Sequence, residues 1–226
     1  MKMCEIEAIL FDLDGTLLDS KGAFYLAICD FFKQHGLKPP TYNEVVSRVS
    51  GMSLRSLLLS LLSSNLYNPR FVEIATRAIE ESYVEFFLPK FATPIPGSAE
   101  FISLLKAKRV KTAIVTNGTS SMLNTYLQNF SVNVDAAISS DQAPLKPNPE
   151  GTLRVLAALN VEPEKALFCG DSKIDILTSK AAGVKITVGV LSGVGTRSEL
   201  EKAGADFVIR DVHCLNSILK GRISNV

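Results

Sequence analysis

Histidine is scarce in this chain, and cysteine nearly so. Only His35 and His213 could supply an imidazole, and the four cysteines (Cys4, Cys29, Cys169, Cys214) are scattered with no CxxC pair. A Cys/His zinc site is therefore not expected. The cysteines read as reduced, mostly buried small hydrophobes of a cytoplasmic protein. Cys169 lies beside candidate carboxylates, but a nucleophilic thiol needs a neighbouring base, and none is near it in sequence. Charge imbalance is also missing. A net charge of +1 gives no electrostatic reason to expect nucleic acid or an acidic membrane surface as partner. No apolar run reaches the ~18 residues of a membrane span. The N-terminus sets acidic residues directly before its first apolar run and has no small-residue cleavage site, so no secretory signal is expected. There is no internal repeat and no low-complexity tract.

What is present is a length suited to one sizeable core, or to one domain carrying a smaller insertion. The chain is organised around Ile6–Ser20, IEAILFDLDGTLLDS. Its apolar run (Ile6, Ala8, Ile9, Leu10, Phe11) reads as a buried strand. The run stops at Asp12 and Asp14, followed by Gly15-Thr16. Like charges two residues apart share a face of an extended chain and repel unless a cation or a proton relieves them. The plain alternative is a strand followed by an Asp-Gly turn.

From Gly22 to about Leu88 the pattern is helical. Phe24, Ala27, Ile28, Phe31 and Phe32 recur at helical spacing until Gly36 and Pro39-Pro40. Thr41 with Glu44 makes a capping box for a second helix. Gly51-Met52-Ser53 punctuates, and Leu54 to Leu62 is a third helix. Pro69 opens a fourth, running to about Phe87, with Phe71, Ile74, Ala75, Ala78 and Ile79 as its expected buried stripe. Leu88–Gly97, with three prolines, reads as a return linker. Beyond it helices alternate with short apolar strands at 111–115, 136–138, 165–169, 184–188 and 206–209. That alternation predicts an α/β fold, a Rossmann-like and mostly parallel sheet with helices on both faces. Residues 1–19 and 89–226 would form this core, and 20–88 a small all-helical domain inserted after strand one.

In an open parallel sheet, ligands bind beyond the carboxyl ends of the strands. Those ends carry Asp12 and Asp14, Thr116, Lys146 in LKPNPE, Asp171 and Asp175. Four carboxylates with one lysine are not self-neutralising. Oxygen ligands of this kind suit a hard divalent cation, magnesium where phosphate is also present. Each residue has a duller use: Thr116 or Asp171 as a helix N-cap, Asp175 as a first-turn dipole partner, Lys146 as a solvated side chain.

FDLDGTLLDS, TNG, LKPNPE and GDSKIDILTSKAAG, in this order and at these distances, resemble the four motifs of the haloacid dehalogenase-like hydrolase superfamily. The resemblance is greatest to its phosphoglycolate phosphatase-like branch, whose helical cap follows the first motif. The tail VGVLSGVGTRSELEKAGADFVIRDVHCL is similar to that branch as well. This implies a magnesium-dependent phosphatase of a small phosphomonoester (phosphoglycolate-like or a sugar phosphate) working through an aspartyl-phosphate. Asp12 would be the nucleophile and Asp14 the general acid and base. Thr116 and Lys146 would hold the phosphoryl oxygens, with backbone N–H groups near Leu13 and Asn117-Gly118. Asp12, the Asp14 main-chain carbonyl and Asp171 would ligate Mg²⁺, and Asp175 would support it directly or through water. The partner would be a small phosphorylated metabolite, with no nucleic acid or membrane, and the protein a monomer or homodimer.

Asp14 separates the rivals. A halide leaves without a proton, so halide displacement needs no second acid, whereas phosphoryl transfer does. A phosphonoacetaldehyde hydrolase would need a Schiff-base lysine in the cap, and between Gly22 and Leu88 only Lys33 and Lys38 are candidates. A phosphomutase of the β-phosphoglucomutase type shares all four motifs. Its cap motif resembles Gly-x-Ser-Arg, but Gly51-Met52-Ser53-Leu54-Arg55 places the arginine one residue late. Arg55 is either a substrate contact or a solvated helix position. A non-catalytic binding module would lack one of the motif acids, and all are present.

Overall fold

Four consecutive apolar residues, Ala8–Phe11, form the strand β1, and all four are buried. A strand buried on both faces needs cover on both sides. In the computed structural model, which describes residues 6–49, 53–62, 68–130 and 132–223, β1 lies at the centre of a parallel sheet. Cys4 and the Gly51-Met52 pair lie outside the described residues. The further strands are the two-residue β2 (Leu18–Asp19) and β3 (Thr93–Pro94), then β4 (Lys111–Val115), β5 (Ala136–Ile138), β6 (Ala166–Gly170), β7 (Ile186–Val190) and β8 (Phe207–Ile209). The large sheet has the order β5-β4-β1-β6-β7-β8, every neighbouring pair parallel. This is the α/β architecture expected from the alternation. The strand predicted at 184–188 starts two residues later, because the chain first turns through Gly183, whose φ is +73°.

The chain divides into two compact units: one runs to Asp19 and resumes at Pro94, and the other is Ser20–Thr93. The second unit is helical, with α1 (Lys21–Gln34), α2 (Tyr42–Val49), α3 (Leu54–Leu61) and α4 (Pro69–Ser82). Thr41 and Glu44 do form a reciprocal cap: the Thr41 N–H donates to Glu44 Oε2 (2.7 Å) and the Glu44 N–H to Thr41 Oγ1 (3.3 Å). Asn68 caps α4, with Pro69 in its first turn. The stripe expected on α4 is rotated. Val72, Ala75 and Ile79 are buried, whereas Ile74 is 53% exposed. At 100° per residue, 72, 75 and 79 share one face and 74 falls well outside it. The predicted linker is also shorter than expected. A π-helical turn, Tyr83–Phe87, leads directly into α5 (Leu88–Phe91). Pro89 is the second residue of α5, just past the π-helical turn.

In the first unit α6 (Ser98–Ala107), α7 (Ser120–Asn129), α8 (Glu150–Leu159) and α9 (Lys173–Ala181) fall where the periodicity places them. Ala8 and Leu10 cluster with Val155, Leu156 and Leu159 of α8. On the opposite face Phe11 meets Phe101 of α6 edge to face, at a centroid distance of 6.4 Å. Two short helices were not anticipated, α10 (Arg197–Lys202) and α11 (Leu215–Leu219).

Both outer strand pairs begin with the same clasp. Asp135 donates its N–H to the Thr112 carbonyl (2.8 Å), and its Oδ2 accepts from the Thr112 N–H (2.7 Å). Asp206 and Thr187 repeat this at 2.8 and 2.7 Å. Each aspartate supplies an acceptor to a backbone N–H at the start of the ladder, where a strand partner would otherwise be needed. Among the described residues no helix is long and apolar enough to cross a membrane.

The rotated α4 stripe has a direct check. Ile79→Ala is expected to cost about 2–5 kcal/mol of unfolding free energy, and Ile74→Ala under about 0.5 kcal/mol. Equal shifts in urea midpoint would return Ile74 to the buried face.

Candidate active site

Strand β1 delivers Asp12 to the carboxyl edge of the sheet, and its neighbour β6 delivers Asp171 one residue past Gly170. The two strands run in register, and the Asp12 N–H donates to the Cys169 carbonyl at 2.9 Å. Asp175 comes from the first turn of α9 and folds back on β6, because residue 170 is glycine. A Cβ there would stand 2.3 Å from that of Asp175. Asp12, Asp171 and Asp175 are each buried, and each offers an oxygen within 4.8 Å of the others.

Lys146 reaches this cluster from the loop before α8. Its ammonium donates to Asp12 Oδ1 (2.5 Å) and Asp175 Oδ1 (2.6 Å) and is itself buried. Burial alone would push the ammonium pKa down, but Asp12 and Asp175 outweigh it and hold it above the usual lysine range. Lys146 thus stays charged. Burial pushes the Asp12 carboxyl well up against the pull of Lys146, and Asp175 and Asp171 push the same way. Asp171 rises to about 7, through burial first and then Asp175, with the Val194 N–H and Lys146 opposing and the charge of Asp14 adding to the rise. Burial is the larger cause for both carboxyls, and on top of it the cluster holds a surplus, more carboxylate than the Lys146 ammonium can balance. A divalent cation among the three acids would relieve it, and oxygen donors of this kind fit such an ion.

The remaining expected residues fall around this cluster. Asp14 is half-buried, just after the strand, and its charge is felt at Asp171 and at the buried Tyr126. Leu13 is buried, and its carbonyl accepts from the Thr16, Leu17 and Leu18 N–H groups. Thr116 directly follows β4, and its Oγ1 accepts from the Gly118 N–H at 2.9 Å. It does not cap the next helix; Thr119 is the N-cap of α7. The Asn117 side chain grips the Lys146 main chain, Oδ1 accepting from its N–H (2.8 Å) and Nδ2 donating to its carbonyl (3.3 Å). That side-chain role was not foreseen. Cys169 is buried, and burial followed by the neighbouring carboxylates pushes its thiol up, which disfavours a thiolate. Arg55 is exposed on α3, as are Lys33 and Lys38 elsewhere in the helical unit.

Ser172, which the motif reading passed over, is the N-cap of α9 in place of Asp171. Its N–H and hydroxyl donate to Asp175 Oδ2 at 3.0 and 2.6 Å. The spacing Ser-x-x-Asp was the available signal, an acidic variant of the capping box. The loop after β7 was also passed over. There the Val194 N–H donates to Asp171 Oδ2 at 2.7 Å.

Known proteins resemble this chain over most of its length. The family profile described as haloacid dehalogenase-like hydrolase matches residues 9–189. The chain is 32% identical over 198 residues to a phosphoglycolate phosphatase of Aquifex aeolicus, covering 86% of this chain and 90% of that protein. It is 29% identical over 214 residues to a phosphorylated carbohydrates phosphatase of Thermotoga maritima, covering 93% and 97%. A solved structure from Thermotoga maritima, described as a candidate β-phosphoglucomutase, superposes with a TM-score of 0.78 at 28% identity over 95% of this chain and 99% of that one. The chain belongs to the haloacid dehalogenase-like hydrolases.

Proposed function

We propose that this phosphatase of the haloacid dehalogenase-like family hydrolyses a small phosphomonoester, phosphoglycolate-like or a sugar phosphate, with Asp12 as nucleophile and Mg²⁺ as its cation. The observation that carries the reading is the buried surplus of carboxylate around Lys146, which suits an anionic substrate only when a metal ion balances it. Asp12, Asp171, the Asp14 main-chain carbonyl and Asp175, directly or through water, would hold the ion. When bound it supplies the positive charge that lets an ionised carboxylate approach a phosphate.

An Asp12 oxygen attacks phosphorus, and the bond from phosphorus to the ester oxygen breaks. Asp14 gives its proton to the departing alkoxide, then takes one from the water that attacks the aspartyl-phosphate. The bond from phosphorus to the Asp12 oxygen breaks, and inorganic phosphate leaves. Lys146 and the Thr116 hydroxyl hold the phosphoryl oxygens, with backbone N–H groups near Leu13 and Asn117-Gly118 as further donors. The names of the two curated relatives support a small phosphomonoester as substrate. The helical unit of residues 20–93 would act as the cap that selects it, with Arg55 the residue to test for contact. The likeness to a candidate β-phosphoglucomutase keeps phosphoryl transfer between sugar hydroxyls as the second reading.

Phosphate release from a panel of small phosphomonoesters with Mg²⁺ tests the mechanism. Asp12→Asn is expected to abolish release, and Asp14→Asn to slow it about 10²–10⁴-fold. Full activity in Asp12→Asn, or release that persists in EDTA, sinks the mechanism. A phosphosugar isomer formed without phosphate release supports the mutase instead.

The charge surplus also sets a pH dependence. Asp171 rises from an ordinary aspartate's 3.8 to about 7 in the metal-free fold, so the folded state binds its proton more tightly than the unfolded chain. The contribution of Asp171 to the stability of the metal-free protein therefore falls as pH rises from about 4 to about 7, then levels off. Asp171→Asn removes that loss. In EDTA its thermal midpoint should gain on the wild type by several degrees between pH 5 and pH 8, an effect on the order of a few kcal/mol. Added Mg²⁺ at pH 8 should raise the wild type and leave the variant unmoved. A difference that stays constant across this range would refute the assignment.

A further inference from the structure

The strand order places β6, with Asp171 at its end, between β1 and β7. The loop that follows β7, residues 191–196, reaches over that end to the loop after β1. There Ser192 Oγ donates to the Gly15 carbonyl at 2.7 Å. Backbone from the two loops closes on Asp171. The Val194 N–H donates to its Oδ2 (2.7 Å) and the Gly195 N–H to its carbonyl (3.0 Å). The approach leaves no space for side chains. A Cβ on Gly193 would stand 1.8 Å from Asp171 Oδ2, and one on Gly195 2.2 Å from the Asp171 carbonyl oxygen. One on Gly15 would stand 2.6 Å from Asp171 Oδ2 and 2.8 Å from Gly193 Cα, and Gly15 has a φ of +84° as well.

The ends of this loop are anchored without Ser192. The Leu191 N–H donates to the Ile209 and Arg210 carbonyls at 3.0 and 3.1 Å, and Thr196 with Glu199 forms the capping box of α10. The Ser192 hydroxyl is therefore not needed to hold the loop against the core. Its bond does something more local. It ties the Val194 N–H, which fixes one oxygen of Asp171, to the turn that follows Asp14.

We propose that Ser192 is a positioning residue for the cation site, holding the Val194 N–H on Asp171 and the Gly15 turn in one arrangement. This role rests on the metal reading above. It adds to that reading a segment outside the four motifs, through which the orientations of the Asp171 carboxylate and the Asp14 main chain are set together. Residues that orient metal ligands from behind commonly change affinity tenfold or more when removed.

The test uses the full chain stripped with EDTA, titrating MgCl₂ and following the thermal midpoint, with Ser192→Ala beside the wild type. The variant is expected to need about tenfold more Mg²⁺ for the same rise, while its metal-free midpoint stays within about 2 °C of the wild type. In phosphate release, the half-saturating Mg²⁺ concentration should rise by the same factor, with the substrate KM at saturating Mg²⁺ unchanged. Wild-type Mg²⁺ response in the variant overturns the role. So does a weakened response that comes with a clearly lowered metal-free midpoint, which would mark general loosening of the loop. If the wild type itself shows no Mg²⁺ response, the cation reading fails first and this role falls with it.

Discussion

Three carboxylates with oxygens held within 4.8 Å of one another around the buried Lys146 ammonium form the constraint on which the rest of the site depends. Like charges at this distance repel, and burial denies them water as relief. The core resists that repulsion through its backbone. Strand β1 is paired on both sides, so Asp12 cannot withdraw without breaking ladder bonds to β4 or β6. Asp175 is fixed by the cap it shares with Ser172, and Asp171 by the Val194 N–H. Apart from the Lys146 ammonium on Asp12 and Asp175, these holding groups carry no positive charge of their own. The cluster thus keeps its shape without being neutralised, which is what a site for a cation and an anion requires.

Lys146 shows the same economy. It bridges Asp12 and Asp175, and its own main chain is gripped by the Asn117 side chain from the loop after β4. Contributions from the ends of β1 and β4, the first turn of α9 and the loop before α8 therefore meet in one chain of hydrogen bonds. On the proposed mechanism the ammonium exchanges part of its contact with carboxylate for phosphoryl oxygen, and its position is already set. Preorganisation of this kind spares the reorganisation that a flexible lysine would need.

Much of this was legible before any coordinates. β1 and β4 lie where their apolar runs place them, since a central parallel strand covered on both faces leaves a nearly unbroken apolar signature. The Thr41–Glu44 cap was legible because it is closed within four residues. The failures share a cause. Whether Ile74 or Val72 faces inward depends on where the neighbouring helices lie, and an apolar residue reads the same in either place. Pro89 looked like a break because its context, a first helical turn continuing a π-helical one, is not written in its own letter. The Asp135–Thr112 and Asp206–Thr187 clasps join residues 23 and 19 positions apart, and nothing in sequence pairs them.

The site residues divide along the same line. Those that carry chemistry stand at strand ends in short, dense motifs, because the chemistry needs particular side chains there. Those that orient them act largely through backbone N–H groups, which any residue except proline possesses. Where they act through backbone alone, their only trace in sequence is what they exclude. Gly15, Gly170, Gly193 and Gly195 are glycines because a Cβ at each would collide with Asp171 or Asp175. A glycine next to a buried acid is therefore as much a part of this centre as the acid itself. In this fold the approach of main chain to carboxylate, more than any added side chain, decides where the negative charge points.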